Sequence, residues 1–170
     1  MFNSIIGSYT QSLTQLKGIL EKAKTFQETK KISDATMVGA YLALDQFPLA
    51  KQVQLVSDYA KRAGAVLCNV EAPKFEDNEA SLTELIARID KTVAFLATLS
   101  EDMVATDLDT RLVPIVWLPG KGLVATYYLE YYARSNFYFH FVTAYSILRH
   151  HGLEIGKGDY MGMPEFKDLA

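Results

Sequence analysis

Three histidines are the first residues to test for chemistry, because imidazole is the commonest metal ligand and proton carrier. They are His140, His150 and His151. A metal site built from these three alone fails on geometry. His140 and His151 share a helix face, since eleven residues make close to three turns, but a rise of 1.5 Å per residue separates them by about 16 Å. His150 and His151 fall in the last turn of a predicted helix. There a polar or positive side chain complements the free carbonyls and the helix dipole. His140 lies mid-helix among Phe137, Phe139 and Phe141. A histidine in that setting is either a hydrogen-bonded core residue or a site residue, and both readings stay open.

The remaining reactive groups are weaker. Cys68, the only cysteine, falls at a predicted helix C-terminus, where the dipole raises a thiol pKa. One cysteine permits no internal disulfide, and the cytoplasm is the default compartment. Gly156-Lys157-Gly158 lacks the strand–loop–helix frame of a phosphate loop. Glu76-Asp77-Asn78-Glu79 lacks the glycine and the spaced oxygens of a calcium loop. No serine stands in a nucleophile elbow.

The densest feature is aromatic. Tyr127, Tyr128, Tyr131, Tyr132, Phe137, Tyr138, Phe139, Phe141 and Tyr145 crowd one short stretch. In a helix Phe137 and Phe141 share a face, and Tyr138 with Tyr145 share the next. Such a run cannot all face one core. The surplus around Tyr127–Tyr132, with Trp117 and Leu118, predicts a homodimer contact, with a ligand pocket as the other use.

These side chains need a scaffold, and the chain is long enough for one. Its 170 residues suit a single domain over 1–170. With 49% hydrophobic and 22% charged residues it has the composition of a globular protein. A formal charge of −3 disfavours nucleic-acid binding, and no apolar run approaches the ~20 residues that span a membrane. The N-terminus lacks the pattern of a signal peptide.

Helical periodicity predicts four long segments. The first runs over roughly Asn3–Thr25 and the second from Pro48 to about Cys68. Ser81 and Glu84 form a capping box that opens the third, which runs to about Leu99. A short helix over Thr126–Ala133 precedes the last, Asn136–His151, with Ser135 as its cap and Gly152 as its stop. Between the third and last helices, Leu112–Leu118 and Pro119-Gly120-Lys121-Gly122 predict a β-hairpin-like excursion near 110–125. From about 153, Gly156, Gly158, Gly162 and Pro164 predict an irregular strap. The fold class is therefore all-α, a four-helix bundle with a short β excursion.

In the last helix, Asn136-Phe137-Tyr138-Phe139-His140, Thr143-Ala144-Tyr145 and Leu148-Arg149-His150-His151-Gly152 closely resemble a branch of the DinB-like superfamily known as a domain of unknown function. Phe47-Pro48-Leu49, Gln52-Val53-Gln54 and Phe75-Glu76-Asp77 resemble its other signature segments. The resemblance implies a bundle in up-down-down-up order. It also implies a divalent metal held by one histidine of the second helix and two, four residues apart, of the last. Some such proteins are thiol-dependent transferases or isomerases. By position His140 matches the last histidine and Asn136 stands where its partner would be. Gln54, or Gln52 in the rival register, replaces the histidine of helix two.

An amide is a poor zinc or nickel ligand beside imidazole. Two functions are therefore expected. The first is a small-molecule-binding bundle with a degenerate metal site, its pocket formed by Gln54, Asn136 and His140 with Asp58 and Tyr138 nearby, and no cofactor. The alternative is a metal-dependent thiol transferase or isomerase, with zinc or nickel on His140 and Asp58 recruited as a further ligand.

Overall fold

Apolar residues recur every three to four positions from Ile5 to Ala23, and in the computed structural model every one of that series is buried on one helical face. The structure describes residues 1–162 and 166–167; Pro164 lies outside them. A π-helical turn, Asn3–Gly7, leads into α1, Ser8–Lys30. The helix outruns its expected end because Gln27 is buried and donates to the Ile32 carbonyl and to Asp34, tying the last turn to the start of the next helix. Ser33 caps the short α2, Asp34–Val38, by accepting from the Thr36 N–H.

Pro48 precedes α3, Leu49–Cys68, and Ser81 caps α4, Leu82–Leu96. Glu84 donates its N–H to the Ser81 hydroxyl, while its carboxylate accepts from the Ala80 N–H. Strands β1, Leu112–Pro114, and β2, Gly122–Val124, pair antiparallel with Val113 opposite Leu123. Val113 points inward while Leu112 and Val124 face out, as the two-residue period of a strand requires.

The chain then re-enters a helix without a break. A single turn, α5 (Ala125–Tyr127), passes through a π-helical segment, Tyr128–Ala133, into α6, Arg134–His150. The expected separate cap at Ser135 is corrected here. Capping needs an extended backbone, but Ala133 and the residues before it are helical, and no glycine or proline interrupts the run. Gly152, at φ +95°, makes the turn after α6. The strap beyond it is not wholly irregular, since Lys157–Met161 forms a short α7 whose Asp159 pairs with Lys22.

Contacts between the long helices give their directions. Tyr9 packs on Phe137 and Phe26 lies beside Gly152, so α1 and α6 run the same way. Gln52 meets His140 and Tyr59 meets Tyr132, so α3 opposes α6. Ser57 bonds Thr92, and a Cβ on Gly64 would stand 2.8 Å from side-chain carbons of Leu96 and Leu99, so α3 and α4 are parallel and closely packed. The order is up-down-down-up. Parallel neighbours α3 and α4 require a connection that returns along the bundle, and residues 69–81 are that crossover.

Candidate functional site

α3 and α6 form the most extensive helix–helix contact of the bundle, and His140 lies in their seam, 8% exposed. Its Nδ1 is 2.7 Å from Gln52 Oε1, and Gln52 Nε2 donates to the Phe47 carbonyl at 2.9 Å. This relay assigns the protons. A carbonyl can only accept, so it receives the amide NH2 and turns the amide oxygen toward the imidazole. The oxygen in turn requires a proton on Nδ1. His140 is thus the Nδ1–H tautomer, and its Nε2 keeps a free lone pair.

The surroundings keep the ring neutral. Burial pushes its pKa down from 6.5 to about 4. Tyr59 lies nearly parallel to the ring with centroids 5.9 Å apart, and Phe139 meets it edge-on at 5.2 Å. Tyr59 also meets Tyr132 edge-on, and the Tyr132 hydroxyl accepts from Trp117 Nε1 at 2.9 Å. The hairpin is therefore latched to the aromatic side of the site. Burial, then the neighbouring Tyr132 hydroxyl, pushes the Tyr59 phenol well above its usual range, so it too stays protonated.

The other expected pocket residues are placed elsewhere, for reasons of helical phase. Residues two apart on a helix project about 200° apart, so only one of Gln52 and Gln54 can face α6. Gln52 does. Gln54 faces the crossover and donates to Glu79 at 2.8 Å. Asp58, one turn on from Gln54, pairs with Arg88 at 2.8 Å and with Lys61 at 2.9 Å. Tyr138 stands across α6 from His140, beside Ser12 of α1, in a separate surface cleft with Gln11, Gln15 and Tyr160. Asn136 is one turn from His140, but its amide donates to the Tyr132 carbonyl of its own helix at 2.8 Å. His151 sits at the far end of α6, 3.2 Å from the Tyr41 carbonyl.

A transition metal does not fit this donor set. One imidazole nitrogen is free, the other is committed to Gln52, and among the described residues no three His, Cys, Asp or Glu side chains stand close enough to share an ion. Cys68 is buried, and burial pushes its thiol pKa up, which suits packing rather than nucleophilic attack.

A second cluster escaped sequence reasoning. Arg88 of α4 has a side chain 1% exposed and binds Asp58, Asp77 and Glu79 at 2.8, 3.1 and 2.8 Å, together with the Glu76 carbonyl. Lys51 pairs with Asp77, and the Phe75 ring lies under Lys61 and Arg88. Burial pushes the Asp77 carboxyl up, but Lys51 and Arg88 outweigh it and hold the group below its ordinary range. The signal was present: Arg88 falls in the 85, 89, 92, 96 stripe that α4 buries, and the acidic run 76–79 supplies its partners. Its charges are matched within the cluster, which fastens the crossover to α3 and α4.

Comparison with known proteins assigns the chain as a whole to a family. Residues 1–161 match the model of a domain of unknown function, DUF1993. The crystal structure of a DinB family member protein from Shewanella denitrificans is 35% identical, with a TM-score of 0.90 over 99% of this chain and 95% of that one. No curated protein matches the chain.

Proposed function

The chain belongs to the DUF1993 family of DinB-like bundles, and from that premise we propose that it binds a small neutral molecule at the His140–Gln52 seam without the help of a metal. The free Nε2 lone pair of a neutral imidazole carries this reading. It accepts one hydrogen bond, and Tyr59 and Phe139 offer ring faces and edges beside it. The matching ligand donates through a hydroxyl or an amide N–H from an apolar or aromatic body. A charged ligand is disfavoured, since no ionised side chain is bonded to the imidazole or to Gln52 among the described residues.

Catalysis is a poorer use of the same geometry. A base with a pKa near 4 takes up protons weakly at neutral pH. The metal-dependent thiol transferase reading needs two more strong donors than the seam supplies.

The test is nitrogen NMR of the His140 ring with phenol and with benzamide as probes. The free protein should show the neutral Nδ1–H form at pH 7, and the probes should move the Nε2 signal saturably. His140→Ala should abolish probe binding. An ordinary titration near pH 6.5, or stoichiometric zinc or nickel lost in His140→Ala, would overturn the reading.

A further inference from the structure

A helix that faces solvent normally carries polar or charged residues on its outer side. α1 obeys this rule, as its exposed positions from Gln11 to Lys30 are all polar. The segment leading through α6 does not. Between Tyr131 and Val142 the exposed positions are Tyr131, Ser135, Phe139 and Val142, each three or four residues from the next, with no charge among them. Tyr127 extends the stripe by one turn, its ring 5.1 Å from that of Tyr131.

We propose that this stripe docks a second copy of the chain, as an antiparallel pair of α6 helices about a two-fold axis at Ser135. The spacing is self-complementary. Tyr131 and Phe139 stand four residues, about 6 Å of rise, on either side of Ser135. A two-fold operation there sets Tyr131 against the partner subunit's Phe139 and repeats the contact in the opposite sense, as an isologous interface requires. The small serine at the centre lets the two helices approach, while the aromatic rings fill the space on either side. The exposed stripe itself carries no charge.

The hairpin flanks this surface. Trp117 is 70% exposed although its indole N–H is fixed by Tyr132, the neighbour of Tyr131. A large apolar side chain held rigidly in water has little rotamer freedom left to lose on docking. Tyr127, Tyr131, Phe139, Val142, Trp117 and Val116, each between 45% and 73% exposed, offer roughly 750 Å² of side-chain surface, close to the ~800 Å² per partner of a standard stable interface. A membrane surface fits less well, because the stripe lacks the lysines and arginines that flank interfacial helices.

Sedimentation equilibrium of the full chain tests the pairing. The wild type should be dimeric at about 10 µM, and Phe139→Glu should weaken the dimer by ~100-fold or more, with an unchanged helical circular-dichroism spectrum. Adding Tyr131→Lys to Phe139→Glu should restore the dimer, because each lysine then faces the partner's new carboxylate. Ser135→Cys should cross-link under mild oxidation, the native Cys68 being buried. A wild type that stays monomeric at about 200 µM, or a dimer indifferent to Phe139→Glu, would overturn the proposal. Failure of the double variant to recover would overturn the two-fold pairing.

Discussion

The His140–Gln52–Phe47 relay makes one residue answerable for a measurable share of stability. Its folded pKa of about 4 lies below the ordinary 6.5, so folding favours the neutral ring. The contribution is complete above pH 6.5. It declines as the pH falls from 6.5 to 4, where the unfolded chain takes up the proton first, and is gone below that window. Urea titrations of wild type and His140→Ala at pH 7 and pH 4.5 measure it: the variant should be less stable by about 1–3 kcal/mol at pH 7, and the gap should shrink at pH 4.5. In Gln52→Glu the new carboxylate faces Nδ1 and favours the imidazolium, so the ring should titrate above its ordinary ~6.5. NMR of the ring protons reads this directly, and a ring that stays neutral at pH 6 would show that the new carboxylate does not stand where the Gln52 amide does. The sequence singles out His140 readily, as a lone imidazole in a phenylalanine-rich helix. It does not choose between Gln52 and Gln54. Both glutamines are buried, and which one meets α6 depends on the rotation of α3, which the side chains of the elements packed around it determine.

At the scale of elements, the awkward step in this bundle is the crossover between two parallel helices. Residues 69–81 have no ladder or helix of their own and must be held by side chains. Arg88 supplies that hold. Buried ion pairs contribute little net stability against an apolar substitute, but removing one partner leaves the others buried and unmatched. Arg88→Ala should therefore cost about 3–5 kcal/mol in denaturant unfolding and speed proteolysis within 69–81. The sign with pH is fixed by Asp77, whose pKa is lowered on folding. The pairing is present above the ordinary carboxylate range and lost as the pH drops through and below it, so the wild type and Arg88→Ala should converge on acidification. An Arg88→Ala protein as stable and as protease-resistant as wild type would remove this role. The helices were legible because their buried stripes keep a 3.6-residue period, and the hairpin because β-branched residues flank a Pro-Gly turn. The unbroken run from Ala125 to His150 was not, because Ser135 has the residue type of a cap in a place where packing keeps the backbone helical. The crossover's anchor was hidden for a related reason: a lone arginine in an apolar stripe shows its partners only once the chain is folded.

For the molecule as a whole, the question is whether the bundle needs anything beyond its own side chains. Tyr9, Leu16, Leu49, Val53, Ile89, Phe137 and Ile147, drawn from all four long helices, are each buried to within 2%. A chain of this length buries about 70% of its unfolded surface on folding, enough to stand without a metal staple. None of its described helices is long and apolar enough to cross a membrane. The likeness to the Shewanella denitrificans protein extends over nearly the whole chain, but a shared fold transmits a scaffold rather than a reaction. Here the scaffold presents an imidazole, an amide and tyrosines where the family resemblance implies three imidazoles. Metal linkage separates the two cases at the level of global stability. An ion that binds the native state alone, at a hundred times its dissociation constant, adds about 2.7 kcal/mol, which for a domain of this size raises Tm by roughly 5–10 °C. With only one imidazole nitrogen free in the seam, about 100 µM zinc or nickel, or a chelator in its place, should move Tm by less than about 1 °C. Restoring the missing donors should change that answer. Gln52→His with Asn136→His would place three imidazoles around the α3–α6 seam, two of them one helical turn apart, and zinc should then raise Tm by several degrees. A wild type that zinc already stabilises to that extent would mean that the seam binds metal with the donors it has.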